Sequence, residues 1–268
     1  MSRKAGISGG LPFRLGTTSY ILPADILPNV EYLKDKVDDI ELVLFESSHE
    51  SDLPSPDVID ELASCARDRN LTYTVHLPYD VRAGSFDEKE RLRAIDTWVR
   101  VIERTRSLPV HAFIAHLEPE KCKDPSDVDK WMTQLGKSLD ELRERTRDMA
   151  DPSLICIENL NYDITLLLPM ILDKGFGLAL DVGHLWNTCL YDPECVADML
   201  SLARVVHLHG VSDGKDHLAL DRTDRAMLSE FLDILREFSG RDIVVTLEVF
   251  SESDLKASLD ILDSMGAF

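Results

Sequence analysis

Short runs of largely apolar residues, rich in β-branched side chains, alternate with longer amphipathic stretches from one end of the chain to the other. The short runs show no regular alternation of polar and apolar positions, which is typical of strands buried on both faces of a parallel sheet. The pattern predicts eight strands, at Phe13–Ser19, Ile40–Phe45, Thr72–His76, Ala112–Leu117, Leu154–Glu158, Gly177–Asp181, Val205–His209 and Ile243–Val249.

The longer stretches between these runs carry apolar residues at helical spacing. In one of them Leu135, Leu139 and Leu142 share a face, and charged residues occupy the other faces. The clearest predicted helices are Glu88–Arg106, Asp127–Met149 and Thr223–Phe238. Three helix starts combine a capping residue with a proline at the first turn: Ser55-Pro56-Asp57, Asp124-Pro125-Ser126 and Asp192-Pro193-Glu194.

Eight strands and about as many helices, repeating at intervals of about 30 residues, are typical of a single α/β domain folded as a (β/α)8 TIM barrel. An open doubly wound sheet is the alternative. No GxGxxG motif follows the first strand, which counts against the dinucleotide-binding form of that sheet. Because no low-complexity linker interrupts the pattern, we expect one catalytic barrel over residues 13–268. Residues 1–12 are expected to form a flexible N-terminal tail.

Charge and composition narrow the classes of partner. The 268 residues include 29 Lys and Arg against 49 Asp and Glu, a net charge of −20, so nucleic acid is not an expected partner. No apolar run reaches the roughly 18–20 residues that span a bilayer, and the first twelve residues lack the apolar segment of a signal peptide. Five cysteines, an odd number without close pairs, predict reduced thiols in a cytoplasmic protein. The oligomeric state is left open.

Ionisable side chains gather where the predicted strands end. Seven of the eight strands end in, or run directly into, a His, Asp or Glu, and in a parallel barrel these ends meet on one face. Each histidine alone is more simply explained as a hydrogen-bonded core residue, but imidazoles and carboxylates together are a normal donor set for Zn²⁺, Mn²⁺ or Fe²⁺. Burying several carboxylates together is costly without a cation among them. The sequence therefore predicts a divalent-metal site on this face.

The order of these residues resembles the xylose-isomerase-like barrel superfamily, which includes endonuclease-IV-type phosphodiesterases and sugar epimerases. The resemblance runs from about Phe13 to the end of the chain and rests on the motifs His76, His116, Glu158, Asp181-x-x-His184, His207, Asp216-His217 and Glu248. In the phosphodiesterase branch it implies up to three metal ions. The implied ligand sets are His76, His116 and Glu158 for the first ion, Glu158, Asp181, His207 and Glu248 for the second, and His184 with Asp216 and His217 for the third.

Two features depart from the endonuclease pattern. The family usually spaces the loop pair as Asp-x-His, whereas Asp216 and His217 are adjacent and Lys215 stands two residues before the histidine. The third ligand set is therefore either incomplete or rebuilt with Asp213. The charge of −20 is the second departure, because a DNA-repair nuclease needs a basic groove.

Segments of the N-terminal half resemble bacterial cobamide-remodelling phosphodiesterases of the same superfamily. The similar segments are Leu15–Tyr20, Pro23–Val30, Glu41–Glu46 and Thr74–Pro78. The resemblance implies a small-molecule substrate, an adenosylated cobamide whose lower nucleotide loop is hydrolysed. Cleavage would leave cobinamide phosphate and an α-riboside.

Candidate roles follow for individual side chains. Divalent ions offset phosphodiester charge and activate water, and Glu158 is the best candidate for a carboxylate shared between ions. Glu248 and His209 are further catalytic candidates, and His209 or His49 could orient substrate or donate a proton to the leaving group. The candidate substrate-binding residues are Tyr20, His49, Asn159 and Trp186.

The alternative enzyme is a sugar isomerase or epimerase. It would hold one metal ion through the set containing Glu158 and Glu248, and these two glutamates would act as the acid/base pair. His76 and His116 would then face substrate instead of binding metal. Metal stoichiometry separates the two enzymes, with about one ion per chain for the isomerase and two or three for the phosphodiesterase. A non-catalytic barrel that binds a ligand is the third class.

Overall fold

A parallel barrel of eight strands forms the centre of the computed structural model, which describes residues 13–46, 51–121 and 124–267. Each strand pairs with the next along the chain, and the last pairs with the first, so the predicted (β/α)8 fold is confirmed. The barrel strands are β1 Arg14–Thr18, β2 Asp39–Val43, β3 Thr72–His76, β4 Val110–Ala115, β5 Ile155–Glu158, β6 Gly177–Asp181, β7 Ala203–Leu208 and β10 Val244–Leu247. The predicted tail at residues 1–12 and the candidate His49 lie outside the described residues.

Helices connect the successive strands of the barrel. They are α1 Ile26–Leu33, α2 Pro56–Arg69, α3 Glu88–Thr105, α4 Pro125–Thr146, α5 Leu168–Asp173, α6 Val182–Thr188, α7 Pro193–Leu200, α8 Arg225–Glu237 and α9 Glu252–Ser264. Short 3-10 turns cover Pro152–Leu154, Ile164–Leu166 and Leu220–Arg222. The three predicted caps are confirmed, because the side chains of Ser55, Asp124 and Asp192 each accept a backbone N–H of the first helical turn.

A small antiparallel hairpin interrupts the alternation between β7 and α8. It pairs β8, Gly210–Ser212, with β9, Lys215–Leu218, in a region that the sequence predicted only as a loop. Asp213 and Gly214 form its turn with φ of 53° and 72°. Two consecutive positive φ angles are what a two-residue hairpin turn requires, and Asp-Gly is a strong signal for it. The hairpin carries the candidate ligands Asp216 and His217.

The interior of the barrel is apolar in its lower part, toward the amino ends of the strands, and polar in its upper part, toward their carboxyl ends. A cluster of small and medium side chains fills the lower interior: Ala112, Ile114, Cys156, Ala179 and Val205. Because side chains alternate along a strand, the next inward position is two residues further on. On β5, β6 and β7 those positions are Glu158, Asp181 and His207. The strand period thus places the polar residues together at the carboxyl ends of the strands.

The helices and the cysteines bear on two expectations from the sequence, which concern membrane spans and reduced thiols. Within the described ranges, none of the helices has the length and apolarity to cross a membrane. Cys65, Cys156, Cys189 and Cys195 are free thiols, as expected, and Cys122 lies outside the described residues. A cytoplasmic location stays a prediction.

Candidate metal centre

Four side chains meet at the upper end of the barrel interior. Glu158, Asp181, His207 and Glu248 come from β5, β6, β7 and the residue after β10, and one potential ligand atom from each lies within 4.8 Å of the others. His207 Nδ1 is 3.3 Å from Glu158 Oε1, 3.3 Å from Glu248 Oε2 and 4.0 Å from Asp181 Oδ2. All four residues are buried. This arrangement matches the second implied ligand set.

A second group lies on the other side of Glu158. His116 Nε2 is 2.9 Å from Glu158 Oε2 and 3.2 Å from His76 Nε2. His76 donates its Nδ1 proton to the carbonyl oxygen of Leu77 at 3.0 Å, which leaves Nε2 to face Glu158 Oε2 at 3.7 Å. The two carboxylate oxygens of Glu158 therefore face different groups of side chains.

The third group differs from its implied composition. The residues whose potential ligand atoms cluster there are His184, His209 and His217. Asp216 is part-exposed, with Oδ2 4.0 Å from His184 Nε2. Asp213, the alternative that the sequence offered, stands exposed at the hairpin turn. A third site with either aspartate as a ligand stays a prediction.

Contacts on both ring nitrogens of His209 tie it to neighbouring candidate ligands. Its Nε2 lies 3.2 Å from Asp181 Oδ2, and its Nδ1 accepts the backbone N–H of His217 at 3.0 Å. The ring packs directly on Gly183, where a Cβ atom would lie 2.1 Å from the His209 Cε1. His209 is fully buried. Its geometry suits holding Asp181 and the hairpin in place, and the proton-donor role stays a prediction.

The candidate substrate-binding residues have different surroundings. Asn159 is fully buried, and its amide accepts the N–H of Asp181 and donates to its carbonyl, both at 2.8 Å. Trp186 is buried with its ring against Phe231, at a centroid distance of 6.1 Å. Tyr20 donates its hydroxyl to Asp52 at 2.9 Å. These contacts position strand ends and loops, and contact of any of the three with substrate stays a prediction.

Glu41 on β2 is a component of the centre that the sequence analysis did not single out. It is fully buried, and its Oε2 lies 2.9 Å from His207 Nε2. With His76 and Glu248 it forms a further group of potential ligand atoms within 4.8 Å of one another. A charged residue inside the apolar run Ile40-Glu41-Leu42 was the available signal, because a lone carboxylate in a strand buried on both faces requires a buried partner.

The histidines and carboxylates of the centre shift one another's pKa values. Burial alone would raise the pKa of Glu158, but the imidazoles of His207 and His116 outweigh burial and hold that pKa well below its usual value. Burial would lower the pKa of His207, whereas the carboxylates of Glu41, Glu248 and Glu158 raise it well above its usual value. An imidazolium at His207 therefore offsets the carboxylates around it, as a divalent cation would do more strongly.

The donors fit a divalent metal. Nitrogen and oxygen ligands converge from several strands, which is the chemistry that Zn²⁺, Mn²⁺ and Fe²⁺ accept. Among the described residues, the buried atoms Glu248 Oε2 and His217 Nδ1 have no hydrogen-bond partner, although they lie 3.5 Å apart within this centre. Buried polar atoms are ordinarily satisfied. A carboxylate oxygen and an imidazole nitrogen that face each other without hydrogen-bond partners are both available to bind a metal ion.

A cavity of about 400 Å³ opens above the centre. Its floor includes His76, His116, Glu158 and Glu248. Two aromatic side chains stand on its rim, each close to half exposed: Tyr79 at 45% and Phe250 at 44%. The Tyr79 ring lies 5.9 Å from the ring of His116, and the Phe250 ring lies 5.5 Å from that of His217. The centre is thus open to a small molecule between apolar walls.

The fold and this site define a TIM-barrel protein with a His and carboxylate cluster at the carboxyl ends of its strands. The chain belongs to the family described as xylose isomerase-like TIM barrel, whose sequence model matches residues 34–265. A search of curated proteins finds no match.

Solved structures share the fold at low sequence identity. A D-tagatose 3-epimerase-like protein is 24% identical, with a TM-score of 0.77 over 94% of this chain and 96% of its own. Endonuclease IV from Thermus thermophilus is 16% identical, with a TM-score of 0.70 over 94% and 98%. The IOLI protein, solved with a bound zinc atom, is 15% identical, with a TM-score of 0.70 over 95% and 96%. At these identities the similarity establishes the fold alone.

Replacing Gly183 by alanine tests the packing under His209. The added Cβ would overlap the ring, so His209 must move and release Asp181, and we expect metal affinity to fall about tenfold or more. Chelator competition with Zn²⁺ measures the change.

Gly136→Ala in α4 is the matched control, because the nearest atom to its added Cβ is Met170 Sδ at 3.9 Å. This variant is expected to keep full metal affinity and to gain about 0.5–1 kcal/mol of stability. Equal metal affinity in the two variants would contradict the role of His209.

Proposed function

We propose that the chain is a metal-dependent phosphodiesterase acting on a small molecule. The observation that carries the proposal is Glu158, whose Oε1 faces His207 while its Oε2 faces His116 and His76. A carboxylate between two ligand groups is typical of centres with more than one ion, and such centres commonly serve phosphoester hydrolysis. Zn²⁺, Mn²⁺ or Fe²⁺ would suit the donors, at two or three ions per chain in this function.

The chain's own residues account for the rest of the reaction. His76, His116, Glu158, Asp181, His207 and Glu248 would hold the ions. Bound divalent ions offset the negative charge of a phosphodiester and lower the pKa of water. Glu248 lines the cavity, and the carboxylate oxygen that it does not use as a ligand would accept the proton of the attacking water. The apolar walls limit the access of bulk water to the reacting atoms.

The proposed substrate is an adenosylated cobamide, which the N-terminal segments suggest. Hydrolysis would break the bond between phosphorus and the ribose oxygen, with water giving its hydroxyl to phosphorus and a proton to that oxygen. Cobinamide phosphate and an α-riboside would result. In this proposal the cavity of about 400 Å³ would receive the ribosyl phosphate, and the larger corrin ring would lie at the rim against Tyr79 and Phe250.

The charge of the protein separates it from its DNA-cleaving relatives. Endonuclease IV shares the fold, but the net charge of −20 would repel a duplex at long range. A cobamide presents one phosphodiester anion, which the ions of the centre can offset locally. The charge therefore favours a small-molecule substrate over nucleic acid.

A sugar epimerase is the second candidate. The group of Glu158, Asp181, His207 and Glu248 is sufficient by itself to hold one ion, and its two glutamates could exchange protons beside a carbonyl. The fold shared with the D-tagatose 3-epimerase-like protein is compatible with this interpretation. His76 and His116 would then contact substrate and would leave the metal content unchanged when removed.

His116→Ala distinguishes the two functions. In the phosphodiesterase the variant loses one ion of the centre, so the metal content falls by about one per chain. Its kcat/KM on an adenosylcobamide should fall by more than the roughly 100-fold typical of losing an outer partner of a ligand. Elemental analysis and mass identification of the riboside measure both effects.

His111→Ala is the matched control for this experiment. His111 is a buried histidine near the start of β4, whereas His116 directly follows the end of that strand, and the His111 ring contacts the carbonyl of Arg204 at 3.1 Å. This variant should retain all its metal. Unchanged metal in His116→Ala, together with turnover of a ketose, would favour the epimerase.

Tyr79→Ala tests the apolar rim. Loss of a half-exposed aromatic contact of about 1 kcal/mol should raise KM for the cobamide about fivefold and leave kcat and metal content unchanged. Leu202→Ala removes an exposed apolar side chain just before β7, at the opposite end of the barrel, and should change neither constant. An unaltered KM in Tyr79→Ala would place the substrate elsewhere.

A further inference from the structure

We infer that Glu41 is the positioning residue of the centre, holding His207 across the barrel so that Nδ1 faces the other ligands. The inference rests on the proposed metal-dependent function and adds a residue to it. Glu41 belongs to β2 and His207 to β7, and two strands, β1 and β10, separate them around the barrel. Their contact therefore crosses the interior.

The hydrogen bond determines which nitrogen of His207 is free. A carboxylate accepts hydrogen bonds, so His207 Nε2 carries the proton and donates it to Glu41 Oε2 at 2.9 Å. The second proton of the imidazolium, on Nδ1, is therefore the one that a bound cation would replace, which leaves the Nδ1 lone pair for the ligand role. That atom lies 3.3 Å from both Glu158 Oε1 and Glu248 Oε2. The carboxylate thus selects both the tautomer and the ring orientation that metal binding needs.

Asp39, on the same strand, shows what a purely structural carboxylate looks like in this barrel. It is also fully buried, and both of its oxygens are satisfied, by Thr72 Oγ1 at 2.5 Å and by the backbone N–H of Thr74 at 3.0 Å. Both partners belong to the adjacent strand β3, so Asp39 joins neighbouring strands.

Glu41 does not join neighbouring strands in this way. Among the described residues its Oε1 has no hydrogen-bond partner, and the partner of its Oε2 is the candidate ligand His207. Burying a carboxylate with half of its hydrogen-bonding capacity unused is costly to the fold. The hydrogen bond that Glu41 Oε2 makes goes to a candidate metal ligand. A role at the metal centre therefore explains why this carboxylate is buried despite its energetic cost.

The experiment compares three variants of the full chain after metal removal. Glu41→Leu removes the acceptor while keeping the buried volume, Glu41→Gln keeps a neutral acceptor for His207 Nε2, and Asp39→Asn changes the other buried carboxylate of β2. Zn²⁺ affinity is measured by chelator competition, with circular dichroism to verify folding.

We expect Glu41→Leu to weaken the binding of one ion by about 10–100-fold. Glu41→Gln should recover most of that loss, because its amide oxygen accepts the same proton, and Asp39→Asn should bind Zn²⁺ as the parent does. A Glu41→Gln variant as weak as Glu41→Leu would overturn positioning through the hydrogen bond. An equal loss in Asp39→Asn would attribute the effect to general loosening of the barrel and would also overturn it.

His207→Ala separates this inference from the proposed function. If His207→Ala weakens Zn²⁺ binding and Glu41→Leu does not, the positioning role is wrong and the metal-dependent function stands. If neither variant changes the affinity, His207 is not a ligand, and both the inference and the centre of two or more ions that the proposed function requires fail.

Discussion

Four carboxylates, those of Glu41, Glu158, Asp181 and Glu248, are buried together at one end of the barrel. Removing even one such charge from water costs several kcal/mol unless positive charge or hydrogen bonds replace the lost hydration. The histidines among them supply part of that replacement, which is why the pKa of His207 is raised and that of Glu158 is lowered. A divalent cation is the remaining partner that the chemistry of the donors fits.

The barrel brings these carboxylates together because side chains alternate between the inside and the outside along each strand. Apolar side chains such as Cys156, Ala179 and Val205 fill the interior, and two residues further along the same strands the inward positions become Glu158, Asp181 and His207. The residues that pack against the candidate ligands are also restricted in identity. Asn159 holds the backbone of Asp181, and a glycine rather than a larger residue at position 183 admits the ring of His209.

The sequence was sufficient for the architecture and for most of the centre, because both depend on local patterns. The eight strand positions, the caps at Ser55, Asp124 and Asp192, and the strand-end histidines and acids follow from periodicity and placement. What it did not provide were relations between distant strands. The contact of Glu41 with His207 spans 166 residues, and periodicity carries no information about such a pair. The hairpin that brings His217 to His209 was missed because its Asp213-Gly214 turn signal was not used.

Diffraction at the zinc absorption edge, from crystals grown with Zn²⁺, tests the central claim most directly. The account predicts anomalous peaks on both sides of the Glu158 carboxylate, one bounded by His76 and His116 and the other by Asp181, His207 and Glu248. A single peak in the second position would reduce the centre to the one-ion form that an epimerase needs. Peaks confined to the protein surface, with none beside Glu158, would contradict the account.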